Sequence, residues 1–385
     1  MKIIVGQVVR SQNFWRRDDI IEEMWEHIED GNHILLAAPR RVGKTSLMYK
    51  VFDEPKEPFV PLYLDVESAD TQHEFWEKLF YKLKDEGFFN SIQSKAHHLW
   101  EQLKRVKIDE VSLKGVKFGN GETMDYAKAF EYLIKSLDDD TKLIIMLDEF
   151  AQTIENILKY ETPQSAESLL KVHRTLRQNQ EISQKVIFIY AGSIGLESIV
   201  ARMDATKYIN DLIRIKVPPL TLDEAKAFTK QLALDNKMEM SEETIDTLLK
   251  KIEWLIPFYI QLIMQELRRV SKKGKVIDLK MIDQAIDDAL ENRNQFEHWQ
   301  SRLKSLDNQA YLFAKEVLNT ISTQHTVKSS EIANLAVKHQ LDEDIAKEII
   351  HSLKYDGYIN NNDNSQIYRF NSPILRMWWE KNVAH

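Results

Sequence analysis

The sequence predicts an α/β core: a parallel five-stranded sheet covered by helices, then an all-helical region and a small helix-and-hairpin unit. Three observations carry this. Five short apolar runs recur between helical patterns: "HILLAA" (33–38), "FVPLYLDV" (59–66), "KLIIMLD" (142–148), "KVIFIYAG" (185–192) and "LIRIKV" (212–217). Strands that alternate with helices imply a parallel sheet buried on both faces. The strand pattern then stops at the proline pair of "VPPLT" (217–221), and residues 222–290 carry only helical periodicity. From about Trp299 the chain reads helix, helix, helix, hairpin, the order of a winged helix.

In chain order, "DDIIEEMWEHIED" (18–30) sets Ile20, Ile21, Met24, Trp25 and Ile28 at helical spacing, and Gly31 with Asn32 ends that helix. The first strand leads into "VGKTSLMYKVF", where Leu47, Met48 and Val51 resume the helical period. "HEFWEKLFYKLKD" and "SLLKVHRTLRQNQ" supply helices between later strands. Residues 88–125, polar and rich in Lys, Gln and Gly, read as an insertion. The expected domains are a core at 1–220, a helical domain at 221–298 and a winged-helix domain at 299–385.

With 385 residues, 43% hydrophobic and 29% charged, the chain can bury two or three cores. It has no cysteine, which excludes disulfides, thiolate zinc sites and a thiol nucleophile, and fits a cytoplasmic location. No run approaches the ~20 apolar residues that span a bilayer, so no membrane association is expected. "MKIIVGQVVRSQ" is too short in apolar character for a secretion signal. The net charge of −8 gives no global attraction to nucleic acid.

The chemistry lies in "AAPRRVGKTS" (37–46), between an apolar strand and a helix start. A phosphate-binding loop needs Gly, four residues, Gly-Lys and Ser or Thr; here Ala38 replaces the first glycine. The first glycine's task is conformational, and alanine performs it wherever φ stays negative. Pro39 would pre-shape the turn. Backbone N–H groups of Arg40, Arg41, Val42, Gly43, Lys44, Thr45 and Ser46 would face phosphate oxygens at a helix N-terminus. Lys44 would neutralise the β and γ phosphates, and the Thr45 hydroxyl would hold magnesium.

"LIIMLDEF" (143–150) ends a second strand in two carboxylates. Asp148 is placed to coordinate Mg²⁺ opposite Thr45, and Glu149 to orient and deprotonate an attacking water. Ser193, after the next strand, is either a sensor of the γ-phosphate or a helix cap. Arg174, Arg177 and Arg202 are candidates for the arginine that stabilises a phosphoryl transition state, or else ordinary surface residues.

These segments together resemble the archaeal-type ATPases of the STAND branch of AAA+ P-loop proteins. "AAPRRVGKTSL" resembles that family's G-P-R-R-x-G-K-T-S-L loop, "LIIMLDEF" its Asp-Glu strand and "FIYAGSIGL" its Gly-Ser sensor segment. "FWRRDDIIEEMWEHI" is similar to its F-x-G-R-E-x-E box, with Arg16 for glycine, Arg17 retained and Asp18 for glutamate. "WLIPFYIQLI" is similar to its Gly-x-Pro lid segment, with Leu255 for glycine beside Pro257. "VPPLTLDEAKAF" resembles the start of the lid, and "YRFNSPILRMWWEKN" the segment that closes the family's winged helix. The resemblance implies an ATPase that binds ATP or ADP with Mg²⁺. It also implies that Arg17 and Pro257 lie near the nucleotide and that a helical lid buries it.

No Asn/Thr-Lys-x-Asp guanine-reading segment occurs, so adenine is the expected base. From Arg302 to His385 there are ten Lys/Arg and ten Asp/Glu, so the C-terminal unit is neutral. Its candidate recognition helix opens "LDEDIAKE", and acids at a helix start repel phosphates. A protein partner or self-association is therefore favoured over DNA. "HWQSRLKSL", with His298 and Arg302, is either a hinge or a connecting helix. Trp378 and Trp379 are expected to be docked core.

Overall fold

The computed structural model describes residues 1–85, 101–102, 105–138, 142–192, 195–271, 276–304 and 306–384. It divides into two compact units: Arg16–Ala38 with Lys44–Val217, and Met1–Trp15 with Pro39–Gly43 and Pro218–His385.

The first unit contains strands β1 (Ile34–Ala37), β2 (Phe59–Asp65), β3 (Ile108–Ser112), β4 (Gly115–Phe118), β5 (Thr123–Met124), β6 (Lys142–Asp148), β7 (Val186–Gly192) and β8 (Ile213–Lys216). Five of them form an all-parallel sheet in the order β2-β6-β7-β1-β8. Each of these five lies inside the run that predicted it. The reason is burial: Leu143, Ile144, Ile145, Met146 and Leu147 of β6 are all fully inaccessible, as parallel strands covered on both faces must be. Because β2 and β6 pair in register, Tyr63 lies opposite Met146 and Asp65 opposite Asp148.

Among the described residues, the helices of this unit longer than four residues are α1 (Asp18–Glu29), α2 (Lys44–Asp53), α3 (Gln72–Lys84), α4 (Tyr126–Lys135), α5 (Phe150–Tyr160), α6 (Pro163–Gln178) and α7 (Leu196–Arg202). Each inserts an apolar stripe, for example Phe75, Trp76, Leu79, Phe80 and Leu83 of α3. The part of 88–125 that is described contains the antiparallel sheet β3-β4-β5. Gly115 is fixed there by geometry: φ is +118°, and a Cβ would lie 2.0 Å from the Met124 carbonyl oxygen.

In the second unit, α8 (Leu222–Asp235), α9 (Glu242–Ile252), α10 (Pro257–Val270) and α11 (Leu279–Glu291) follow one another. A capping box of Thr221 and Glu224 starts α8. After α12 (Glu297–Leu303) come α13 (Asn308–Gln324), β9 (Val327–Lys328), α14 (Ser329–Lys338), α15 (Glu343–Tyr355), β10 (Ile359–Asn360), β11 (Ile367–Phe370) and α16 (Pro373–Asn382). The strands form an antiparallel sheet in the order β10-β11-β9. Trp378 and Trp379 are buried: Trp378 stacks on Phe296, and Trp379 Nε1 donates to Asn319 Oδ1 at 2.9 Å. Among the described residues, no helix is long and apolar enough to cross a membrane.

Candidate functional site

Strand β1 ends at Ala37 and α2 begins at Lys44, so the loop between them must reverse the chain in six residues. Its left-handed steps fall at Arg41 (φ +69°) and Gly43 (φ +105°), not at Ala38. The alanine in the first glycine's place is thus free of the strain that the glycine would relieve. At Gly43 a Cβ would meet nothing within 4 Å, so backbone conformation alone requires glycine. The Lys44 ammonium is buried and donates to the Ala38 carbonyl oxygen at 2.7 Å, crossing its own loop.

At the carboxyl end of β6, Asp148 is buried and meets α2 directly. Thr45 Oγ1 donates to Asp148 Oδ2 at 2.7 Å. Tyr63 OH, from the neighbouring β2, donates to the same oxygen at 2.9 Å, and the Glu149 N–H donates to Oδ1 at 3.1 Å. Burial and the adjacent Glu149 charge push the Asp148 carboxyl above its ordinary range; the two hydroxyls and Lys44 pull the other way without cancelling the rise. Burial, then the Asp148 charge, keeps the Tyr63 hydroxyl protonated.

Glu149 occupies the position before α5 in a left-handed conformation, φ +56° and ψ +31°, without a side-chain capping bond. For a non-glycine residue this costs on the order of 1 kcal/mol, the kind of strain that clusters at functional positions. Phe150, the next residue, is anchored between Phe75, His173 and Tyr190.

The other expected residues are distributed as follows. Thr45, Lys44, Asp148 and Glu149 come together in the sheet unit. Val42 and Arg17 are buried, and Pro257 occupies the first turn of α10. In the second unit, Arg41 donates to the Gly6 carbonyl oxygen at 3.3 Å, meets His298 Nδ1 at 3.4 Å and lies 4.9 Å above the Phe258 ring. Burial, then Arg41 and Arg40, drives the His298 pKa down to about 3. Ser193 lies outside the described residues.

Of the three arginines, Arg177 requires a correction. It is buried, with Nε 2.7 Å and Nη2 2.9 Å from the two Asp211 oxygens, and it also donates to Tyr190 OH at 3.0 Å and the Tyr208 carbonyl at 2.5 Å. A guanidinium committed to four acceptors cannot also be a mobile charge donor. Arg174 donates to Asn210 Oδ1 at 2.9 Å, and Arg202 pairs with Glu155. Tyr63 was not anticipated. Its signal would have been the Tyr-x-Asp ending of β2, had the register with β6 been known.

No protein-family model matches the chain, and a search of curated proteins finds no match. Solved structures do match. The chain is similar to the Walker-type ATPase of Pyrococcus abyssi over 98% of its own length and 99% of that chain, with a TM-score of 0.70 and 17% identity. It is also similar to the Orc2 protein of Aeropyrum pernix, solved as ADPNP-ADP complexes, over 96% of each chain (TM-score 0.55, 11% identity). Cdc6p of Pyrobaculum aerophilum matches over 98% of this chain and 95% of its own (TM-score 0.50, 11% identity). The shared feature is the fold: a five-stranded all-parallel sheet surrounded by helices, followed by a helical C-terminal region.

Proposed function

We propose that the chain is a Mg²⁺-dependent ATPase of the archaeal-type STAND branch of AAA+ proteins, working as a nucleotide-controlled switch. One observation carries the reading: Thr45, the residue after a buried loop lysine, is hydrogen-bonded at 2.7 Å to an aspartate 103 positions away. The fold is shared with a protein described as a Walker-type ATPase and with another solved as ADPNP-ADP complexes, which supports the same ligand class.

The loop N–H groups from Arg41 to Ser46 would cradle phosphate oxygens, and Lys44 would exchange its carbonyl partner for the β and γ phosphates. A hydroxyl and a carboxylate are hard oxygen donors that fit Mg²⁺, which takes one or two carboxylates and completes its shell with phosphate and water. Thr45 and Asp148 would hold it, and when bound it would neutralise charge developing on the phosphates. Glu149 would accept the proton of the attacking water as its oxygen bonds to the γ-phosphorus. The bond to the β–γ bridging oxygen then breaks, and ADP and phosphate leave. Ser193 is the proposed sensor of the γ-phosphate. Arg174 or Arg202, held by partners near the surface, would supply the remaining positive charge.

The helical segment at 221–298 would be the lid, and 299–385 a winged helix that reports the nucleotide state. On α15 the lysine Lys347 is taken up by Glu343 at 2.6 Å and Asp344 at 3.6 Å. That acidic face favours a protein partner or self-association over DNA. A cytoplasmic setting suits this reading.

Glu149→Gln tests the catalytic assignment. ATP binding by calorimetry should persist while phosphate release falls about 100-fold or more, the contribution of a general base. A variant that turns over at the wild-type rate would remove Glu149 from this role.

A further inference from the structure

An ionised carboxylate offers about four lone-pair directions, and at Asp148 three are filled from within the sheet unit. Oδ2 takes the hydroxyls of Thr45 at 2.7 Å and Tyr63 at 2.9 Å, and Oδ1 takes the Glu149 N–H at 3.1 Å. The Glu149 bond is local, made by the next residue along the chain. Thr45 belongs to the phosphate loop's own helix. Tyr63 is the third donor, from a different strand, and the ATPase reading gives it nothing to do.

Its placement is nonetheless tightly determined. The in-register pairing of β2 with β6 sets Tyr63 two residues before the position opposite Asp148, so the phenol reaches the carboxylate along the strand edge. The ring is packed against Tyr49, with centroids 4.4 Å apart and planes at 33°. Tyr49 lies on α2 one turn after Thr45, on the same helix face. Tyr63 therefore touches both partners of the Thr45–Asp148 contact, one through its hydroxyl and the other's helix through its ring.

We propose that Tyr63 is a positioning residue for the divalent metal: it fixes the Asp148 carboxylate so that Thr45 gives its single proton there and turns its lone pairs to the ion. The inference rests on reading this site as a metal–nucleotide site. A hydroxyl has one proton and two acceptor lone pairs, so where the proton goes decides where the lone pairs point. Groups that orient metal ligands from outside the coordination shell are worth about 10–100-fold in metal affinity.

Tyr63→Phe removes the hydroxyl and keeps the ring on Tyr49. Mn²⁺ would be titrated by electron paramagnetic resonance into protein saturated with a non-hydrolysable ATP analogue, beside a calorimetric titration of ATP in EDTA. The variant should bind Mn²⁺ about ten-fold more weakly, with metal-free ATP affinity unchanged. Unchanged Mn²⁺ affinity overturns the proposal. So does an equal loss of metal-free ATP affinity, which would make Tyr63 a general prop of the loop. Failure of the wild-type protein to bind the analogue is a separate outcome that removes the nucleotide reading itself.

Discussion

At the end of β6, Asp148 is served by the hydroxyls of Thr45 and Tyr63, and Lys44 by the carbonyl of Ala38; beside β7, Arg177 meets Asp211 through two hydrogen bonds and donates also to the Tyr190 hydroxyl and the Tyr208 carbonyl. Both clusters bury charge in the same unit. In the second, opposite charges meet directly, so desolvation is repaid inside the protein, and the Arg177 guanidinium is held even above its ordinary range. In the first, hydroxyls and carbonyls receive the charges, and the Asp148 carboxyl stays raised by burial. An incoming cation would relieve that cost. Glu149, beside it, is held in a strained backbone conformation that packing at Phe150 maintains. Residual electrostatic cost and a left-handed non-glycine residue together mark the first cluster, the combination expected where a ligand is to be received, and that difference supports the ATPase proposal.

The comparison breaks most visibly at Arg177. Arg177→Ala would leave Asp211 and Tyr190 without their buried partner and should lower unfolding stability by about 3–5 kcal/mol in urea titrations. ATP affinity of the folded fraction should be unchanged. Full stability with lost turnover would instead return Arg177 to the catalytic set.

A smaller effect concerns pH. His33 lies in the Arg177 cluster, its ring between the Arg177 carbonyl and the Phe188 N–H. Burial, then the Arg177 charge, lowers its pKa from 6.5 to about 4. As pH falls below 6.5 the unfolded chain takes up a proton that the folded chain refuses until about 4. Stability should therefore decline across that window, by at most about 1.4 kcal/mol per pH unit from this group. His33→Gln should flatten the decline in urea titrations at stepped pH; an unchanged slope would show that His33 does not contribute.

Much of the sheet unit was legible because parallel strands buried on both faces must be apolar throughout, and runs such as "KLIIMLD" have no other use. The loop between β1 and α2 and the Asp-Glu end of β6 were equally plain as motifs, since each is local in sequence. The partners that distinguish function from structure were not. Asp211 is 34 residues from Arg177, and Tyr63 is 85 from Asp148; only strand register and tertiary packing bring them together. Helix α5 follows the carboxylate pair without a break, so its helical period at Phe150, Ala151, Ile154 and Ile157 merges with the apolar run of β6. The polar composition of 88–125 concealed a small antiparallel sheet whose strands are too short for a clear alternation.

The central claim is that Lys44, Thr45 and Asp148 form one receptor for a metal-bound triphosphate. It is tested most directly by calorimetric titration of ATP with Mg²⁺ into the wild-type protein and Lys44→Ala side by side. Saturable binding to the wild type, weakened about 100-fold or more in the variant, is the predicted result, because a charge-assisted contact to phosphate would be lost. Equal affinity in the two proteins would contradict it.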